Sequence, residues 1–159
     1  LNIDSKGEKM EPTIVKKEAF TVVGMKYRGK NEHREIPQLW SVFIERIPMV
    51  KHIADPHVCY GVCDNEDEST GVFDYIAGLP VTDVSEIPEG MIHWEIPEQT
   101  YAMFTCTLSG IHEAFAYAYK TWLPQSGYQR ADGPDLELYD EEFEPESGRD
   151  KMYIYIPIA

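Results

Sequence analysis

Residues 14–27 are dense in β-branched and aromatic side chains, with Phe20, Val22, Val23 and Tyr27 among them, and the run stops at Arg28-Gly29. That composition and that punctuation predict a strand. The period then changes. Between His33 and Ile47 the apolar residues Ile36, Leu39, Trp40, Phe43, Ile44 and Ile47 recur at steps of three and four, which predicts an amphipathic helix. Pro37 suits its first turn and Pro48 stops it. Residues 57–64 read as a strand, 65–70 as an acidic turn and 71–81 as the strand that closes the hairpin. Residues 84–97 read as a connector marked by Pro88, Gly90 and Pro97. After it the pattern restarts: a strand over 99–108, a helix over 112–123, a strand over 136–140, an acidic turn over 141–150 and a last strand over 152–158. Phe115, Ala116, Tyr119 and Trp122 form the stripe of the second helix, and Pro124 and Gly127 end it.

The repetition extends to single residues. Tyr27-Arg28-Gly29 matches Leu108-Ser109-Gly110, Trp40 matches Trp122, Cys63-Asp64 matches Tyr139-Asp140, and Leu79-Pro80-Val81 matches Ile156-Pro157-Ile158. In one order these matches indicate an internal duplication, with repeat units at about 14–83 and 98–159 after a flexible lead-in over 1–13. One strand–helix–strand–strand unit is too small to bury its own apolar face. The expected fold is α+β: a pseudo-twofold duplication of that unit, forming an antiparallel sheet with two long helices around a central cleft. Pockets favour such joins.

Composition narrows the function. The chain has 159 residues, 43% hydrophobic and 26% charged, within the range of one globular domain. A net charge of −14 opposes binding to phosphate backbones, so direct nucleic-acid binding is not expected. No apolar run approaches the ~18 residues of a membrane span, and residues 1–10 carry no secretory pattern. Three cysteines, Cys59, Cys63 and Cys106, argue against a disulfide framework and fit a reducing cytoplasm. The five histidines show no zinc spacing, and no phosphate loop or nucleophile elbow is present. Neither a metal nor a cofactor is expected.

Chemistry concentrates in Asp135-Leu136-Glu137-Leu138-Tyr139-Asp140, where alternation sends Leu136 and Leu138 one way and Glu137 and Tyr139 the other. Glutamate is disfavoured inside a strand, and a solvent-facing residue is its ordinary explanation. The duplication suggests another. It sets Gly61 against Glu137, Cys63 against Tyr139 and Gly78 against Tyr155, so one unit is lean where the other is charged or bulky. A carboxylate with room beside it suits a cationic or hydrogen-bonding ligand, and burial would raise its pKa. Trp40, Trp122, Tyr139 and Tyr155 are candidate stacking surfaces, whereas Phe43 and Phe115 read as core.

These landmarks resemble the GyrI-like small-molecule-binding domains, also found as effector-binding halves of some AraC-type and MerR-type transcription regulators. The resemblance runs from about Val15 to Ile158. Its carriers are the strand from Phe73 through Leu79-Pro80-Val81, the helix end from Trp122 to Tyr128, the strand from Leu136 to Glu141, and the terminal Ile154-Tyr155-Ile156-Pro157-Ile158. It implies a central aromatic cleft with an acidic residue, mapped to Glu137, that engages cationic or polycyclic compounds. It also implies a lining that includes Trp40, Tyr60, Trp122, Tyr139 and Tyr155. The leading expectation is a standalone binding module for an aromatic or cationic small molecule. The alternatives are a hydrolase of strained, cyclopropane-bearing genotoxins, in which Glu137 would be the catalytic acid or base, and a protein-interaction role such as gyrase modulation.

Overall fold

The computed structural model describes residues 10–159. Most of the expected lead-in, residues 1–9, lies outside the described residues. The strands in chain order are β1 (Thr13–Lys17), β2 (Phe20–Gly29), β3 (Cys59–Asp67), β4 (Val72–Val81), β5 (Ile92–Ile96), β6 (Gln99–Thr107), β7 (Asp135–Tyr139) and β8 (Lys151–Pro157). The helices are α1 (Glu35–Arg46), α2 (Ile111–Tyr117) and α3 (Leu123–Ser126), the last two joined by a π turn over Ala118–Trp122. The described residues divide into two compact units: Ala19–Pro97, and residues 10–18 together with Glu98–Ala159.

In the unit Ala19–Pro97 the strands lie antiparallel in the order β3-β4-β2-β5. Helix α1 covers one face and buries Phe43 against Val23, Tyr75, Ala77, Leu79 and Val81. Its expected stripe holds except at Ile44, which is 58% exposed. No side chain caps α1 at Arg34. Instead Asn31 Oδ1 accepts from the Ile36 backbone N–H at 2.9 Å, satisfying one of the orphan donors of the first turn.

The other unit is ordered β1-β6-β8-β7, again antiparallel. Ala114, Tyr117 and Ala118 of its helix pack on Ala102, Phe104, Met152, Ile154 and Ile156. The helix outlasts the end expected at Leu123. Pro124 follows the π turn within the continuous helix, where its ring removes one intrahelical N–H donor. Gly127 stops the helix with φ 82°, a left-handed conformation that glycine adopts without steric cost.

Two expectations need correction. The strand predicted over 14–27 is two strands, broken between Lys17 and Phe20: β1 pairs with β6, and β2 pairs with β4 and β5. The connector predicted over 84–97 contains β5, whose Ile92, Trp94 and Ile96 pair along β2. The outermost strand of each unit thus precedes, in sequence, the first long strand of the other. Local composition cannot distinguish strands by the partner they choose.

The duplication survives in the register. Equating Asp64 with Asp140 and Pro80 with Pro157 carries the pair Gly61↔Ala77 onto Glu137↔Ile154, and Tyr60↔Gly78 onto Leu136↔Tyr155. The match of Tyr27-Arg28-Gly29 to Leu108-Ser109-Gly110 does not survive. Val22 pairs with Pro80 and Tyr101 with Pro157, which slips that alignment by two residues.

On the face of β4 away from α1, Asp74 is buried and takes Asn65 Nδ2 at 2.8 Å, Arg28 Nη1 at 3.0 Å and Lys26 Nζ at 3.7 Å. Burial pushes its carboxyl up, but these donors and charges outweigh burial and hold it below the usual range. A depressed folded pKa adds stability that is present above the unfolded value of ~3.9 and is lost as pH falls through the folded value. With Lys26 and Arg28 partly in solvent, Asp74→Asn is expected to cost about 1–2 kcal/mol at pH 7. Denaturant unfolding at pH 7 and again well below ~3.9 should show the gap to wild type closing in acid. A gap that stays constant would remove Asp74 from this role.

Candidate functional site

Strand β7 is short, and its pleat decides what its side chains meet. Glu137 pairs with Ile154, and Ile154 pairs with Phe104, so the three lie in one row across β7, β8 and β6. Paired residues share a face. Phe104 and Ile154 belong to the core under α2, so Glu137 stands on the face the helix covers. It is 7% exposed. Tyr139, on the same face of the strand, donates its hydroxyl to Glu137 Oε1 at 2.8 Å and meets Phe143 edge to face at 4.8 Å.

Two further groups share this face. Trp122 sets its ring edge-on to Phe104 at 5.5 Å and stacks on Tyr128 at 6.0 Å. Cys106 pairs with Met152. Its thiol is pushed up to about 12, chiefly by burial and then by the negative charges of Glu137 and Asp150. The arrangement is a carboxylate among rings and aliphatic side chains, held by a phenol. In such low-dielectric surroundings a charge acts strongly on whatever approaches it.

The other expected residues lie elsewhere. Tyr155 pairs with Leu136 and Met103, on the opposite face of the sheet from Glu137. There it packs edge-on against Tyr101 at 5.7 Å, with Lys17 Nζ 5.0 Å from its ring centre. The Lys17 ammonium is partly desolvated, which lowers its pKa. Tyr155 and Glu137 therefore do not share a face, against the expectation that both line one cleft. The pleat that places Leu136 opposite Tyr155 forbids it.

In the unit Ala19–Pro97, Trp40 lies on the α1 side, donates Nε1 to the Tyr75 hydroxyl at 2.8 Å and meets Phe43 edge-on at 5.9 Å. Tyr60 pairs with Gly78 on the reverse face and packs against Phe20 at 5.0 Å. Burial, and then Asp55, push its phenol up to about 12. Gly78 does not leave room for a ligand, as its leanness suggested. A Cβ there would fall 2.3 Å from Val22 Cγ1 and 2.9 Å from the Val23 carbonyl oxygen, so glycine serves close strand packing. A surface hollow of about 400 Å³ beside β2 and β5 is lined by none of the expected site residues.

The sequence reading missed Tyr75, Cys106 and Asp135. Asp135 was accessible, because the alternation that groups Glu137 with Tyr139 extends to it. Tyr75 and Cys106 sit among apolar neighbours in strand patterns and carry no separate signal. Among the described residues no cluster of three or more metal-ligating side chains occurs, and no helix is long and apolar enough to cross a membrane.

A family model described as a GyrI-like small molecule binding domain matches residues 10–159. The chain is 38% identical over 152 residues to the transcriptional regulator BrlR of Pseudomonas aeruginosa, covering 94% of this chain and 56% of BrlR. It thus spans little more than half the length of that relative. Among solved structures, SAV2435 bound to tetraphenylphosphonium superposes with a TM-score of 0.75 at 16% identity, covering 94% of both chains. The EcmrR C-terminal domain gives 0.73 at 14% identity, covering 94% of this chain and 98% of that one. An integron cassette protein of Vibrio cholerae gives 0.68 at 20% identity, covering 94% of this chain and 97% of that one. These likenesses show a shared fold.

The electrostatic link from Glu137 to Cys106 can be read directly. Glu137→Gln keeps the shape and removes the charge that helps hold the thiol up. Site-resolved alkylation, followed by mass spectrometry as pH is raised, should find Cys106 titrating lower in the variant, while Cys59, raised by burial alone, stays put. A Cys106 profile identical in both proteins would place the Glu137 charge elsewhere.

Proposed function

The chain belongs to the GyrI-like small-molecule-binding domains, and on that premise we propose that Glu137 is the acid that receives a bulky aromatic cation. Tyr139 orients the carboxylate, and Trp122 contributes an aromatic wall on the same covered face. The observation that carries this reading is the burial of Glu137, at 7% exposure, with the Tyr139 hydroxyl 2.8 Å away.

Burying a carboxylate costs several kcal/mol, of which the Tyr139 hydrogen bond returns about 1.5–3 kcal/mol. A cation at ~4 Å adds about 4 kcal/mol of attraction at an effective dielectric near 20. Aromatic rings add attraction through their faces and exclude water. Tetraphenylphosphonium, the ligand of the similarly folded SAV2435, has this chemistry: one positive charge inside a shell of phenyl rings. The identity to BrlR supports placing the binding step in a regulator, where occupancy by such a compound would be the signal sensed.

The test compares wild type with Glu137→Gln by thermal shift and calorimetry. The probes are tetraphenylphosphonium and the neutral triphenylphosphine oxide, each recovered and weighed by mass spectrometry. The cation should stabilise the wild type, bind at least about tenfold more weakly to the variant and return intact. The neutral compound should bind both proteins alike. Equal affinity of the cation for both proteins would overturn the assignment of Glu137. Tetraphenylphosphonium returned as triphenylphosphine oxide and benzene would make the protein a hydrolase.

A further inference from the structure

The helix over β6 and β8 contains a π turn just ahead of Pro124. Between α2 and α3, Ala118–Trp122 closes i→i+5 rather than i→i+4. Such a turn is rare, and it recurs at functional sites. Residues three apart no longer stack along one edge of it, so Tyr119 and Trp122 can reach different strands. Trp122 reaches Phe104 on β6. Tyr119 reaches β7, where its hydroxyl donates to Asp135 Oδ1 at 2.5 Å.

Arg130 completes the contact. Its Nε donates to the Tyr119 hydroxyl at 3.0 Å and its Nη2 lies 3.4 Å from Asp135 Oδ1. Its remaining donors take the carbonyls of Ala131 at 2.8 Å and Gly133 at 2.9 Å, which fixes the guanidinium in the loop before β7. Burial, and then Asp135, hold the Tyr119 phenol well above its ordinary range, so it remains a donor throughout working pH. Burial opposes the Arg130 charge, but Tyr119 and Asp135 outweigh it.

Asp135 opens a strand of five residues, two positions before Glu137 and on the same face. The paired register of that strand with β8 covers Leu136 to Leu138. At the start of the strand, side-chain contacts add to that ladder. Tyr119 and Arg130 fasten the start, and Tyr139 holds Glu137 from the other side.

We propose that Tyr119, Asp135 and Arg130 form a positioning network that locks β7 to the π turn, and so sets together the aim of the Glu137 carboxylate and the place of the Trp122 ring. The network acts through Glu137, so the proposal rests on the reading of Glu137 as the ligand-binding acid.

Tyr119→Phe keeps the ring and removes the hydroxyl. Calorimetry with tetraphenylphosphonium should show about five- to tenfold weaker binding in this variant. In a double-mutant cycle the added effect of Tyr119→Phe should shrink once Glu137 is Gln, leaving the part that passes through Trp122. In protein labelled with 5-fluorotryptophan, the Trp122 fluorine resonance should move in Tyr119→Phe while those of Trp40 and Trp94 hold. Asp135→Asn should repeat the pattern from the strand side. If Glu137→Gln loses binding but Tyr119→Phe binds as wild type, or if the two losses multiply independently, the network is only structural and the proposal falls. If Glu137→Gln itself binds as wild type, the reading of Glu137 has failed, and the proposal with it.

Discussion

A carboxylate on the covered face of a sheet is the constraint around which the unit carrying residues 98–159 is organised. The row Phe104, Ile154, Glu137 starts in the core under α2 and ends on an acid. Ionised side chains are almost never buried without partners. The surroundings answer accordingly: a phenol from Tyr139 and a thiol at Cys106 that the acid helps keep neutral. Next to it on β7, Asp135 is itself held by Tyr119 and Arg130. Polar contacts so placed specify one arrangement of β7, which a purely apolar strand of the same length would leave less defined.

The other unit keeps the geometry without the acid. Gly61 holds the position of Glu137 in the register, and Cys63, facing Tyr75, holds that of Tyr139. Its own buried carboxylate, Asp74, lies on the reverse face and is matched by Lys26 and Arg28. Asp74 thus has cations of its own from the protein. Asp74 takes a guanidinium and an ammonium, whereas Glu137 takes the phenol of Tyr139 on the covered face.

Much of this was legible in the sequence, for identifiable reasons. Period, composition and turn residues located both helices and six strand regions, one of which holds β1 and β2 together, because half-buried strands and amphipathic helices carry distinct hydrophobic repeats. The duplication was legible in Pro80 and Pro157 and in Asp64 and Asp140, and the strand registers bear those alignments out. Glu137 stood out because an acid interrupts a strand pattern. Partner choice was not legible: β1 and β5 look like ordinary neighbours of β2 and β6, and only pairing reveals the exchange. The π turn left no mark in the hydrophobic period, although Pro124, which disfavours α geometry at the carbonyl of Lys120, stands just beyond it. Tyr155 was grouped with Glu137 because the duplication sets each against a glycine of the other unit, although pairing with Leu136 puts it on the far side of the sheet.

The central claim is that ligand chemistry belongs to the covered face of β7 and not to the aromatic face behind it. Calorimetric titration of tetraphenylphosphonium into Tyr139→Phe and Tyr155→Phe, side by side, tests it most directly. Loss of the Tyr139 hydroxyl frees the Glu137 carboxylate to turn away, and affinity should fall by about fivefold or more. Loss of the Tyr155 hydroxyl should leave affinity within about twofold of wild type. Weakened binding in Tyr155→Phe with none in Tyr139→Phe would contradict the account.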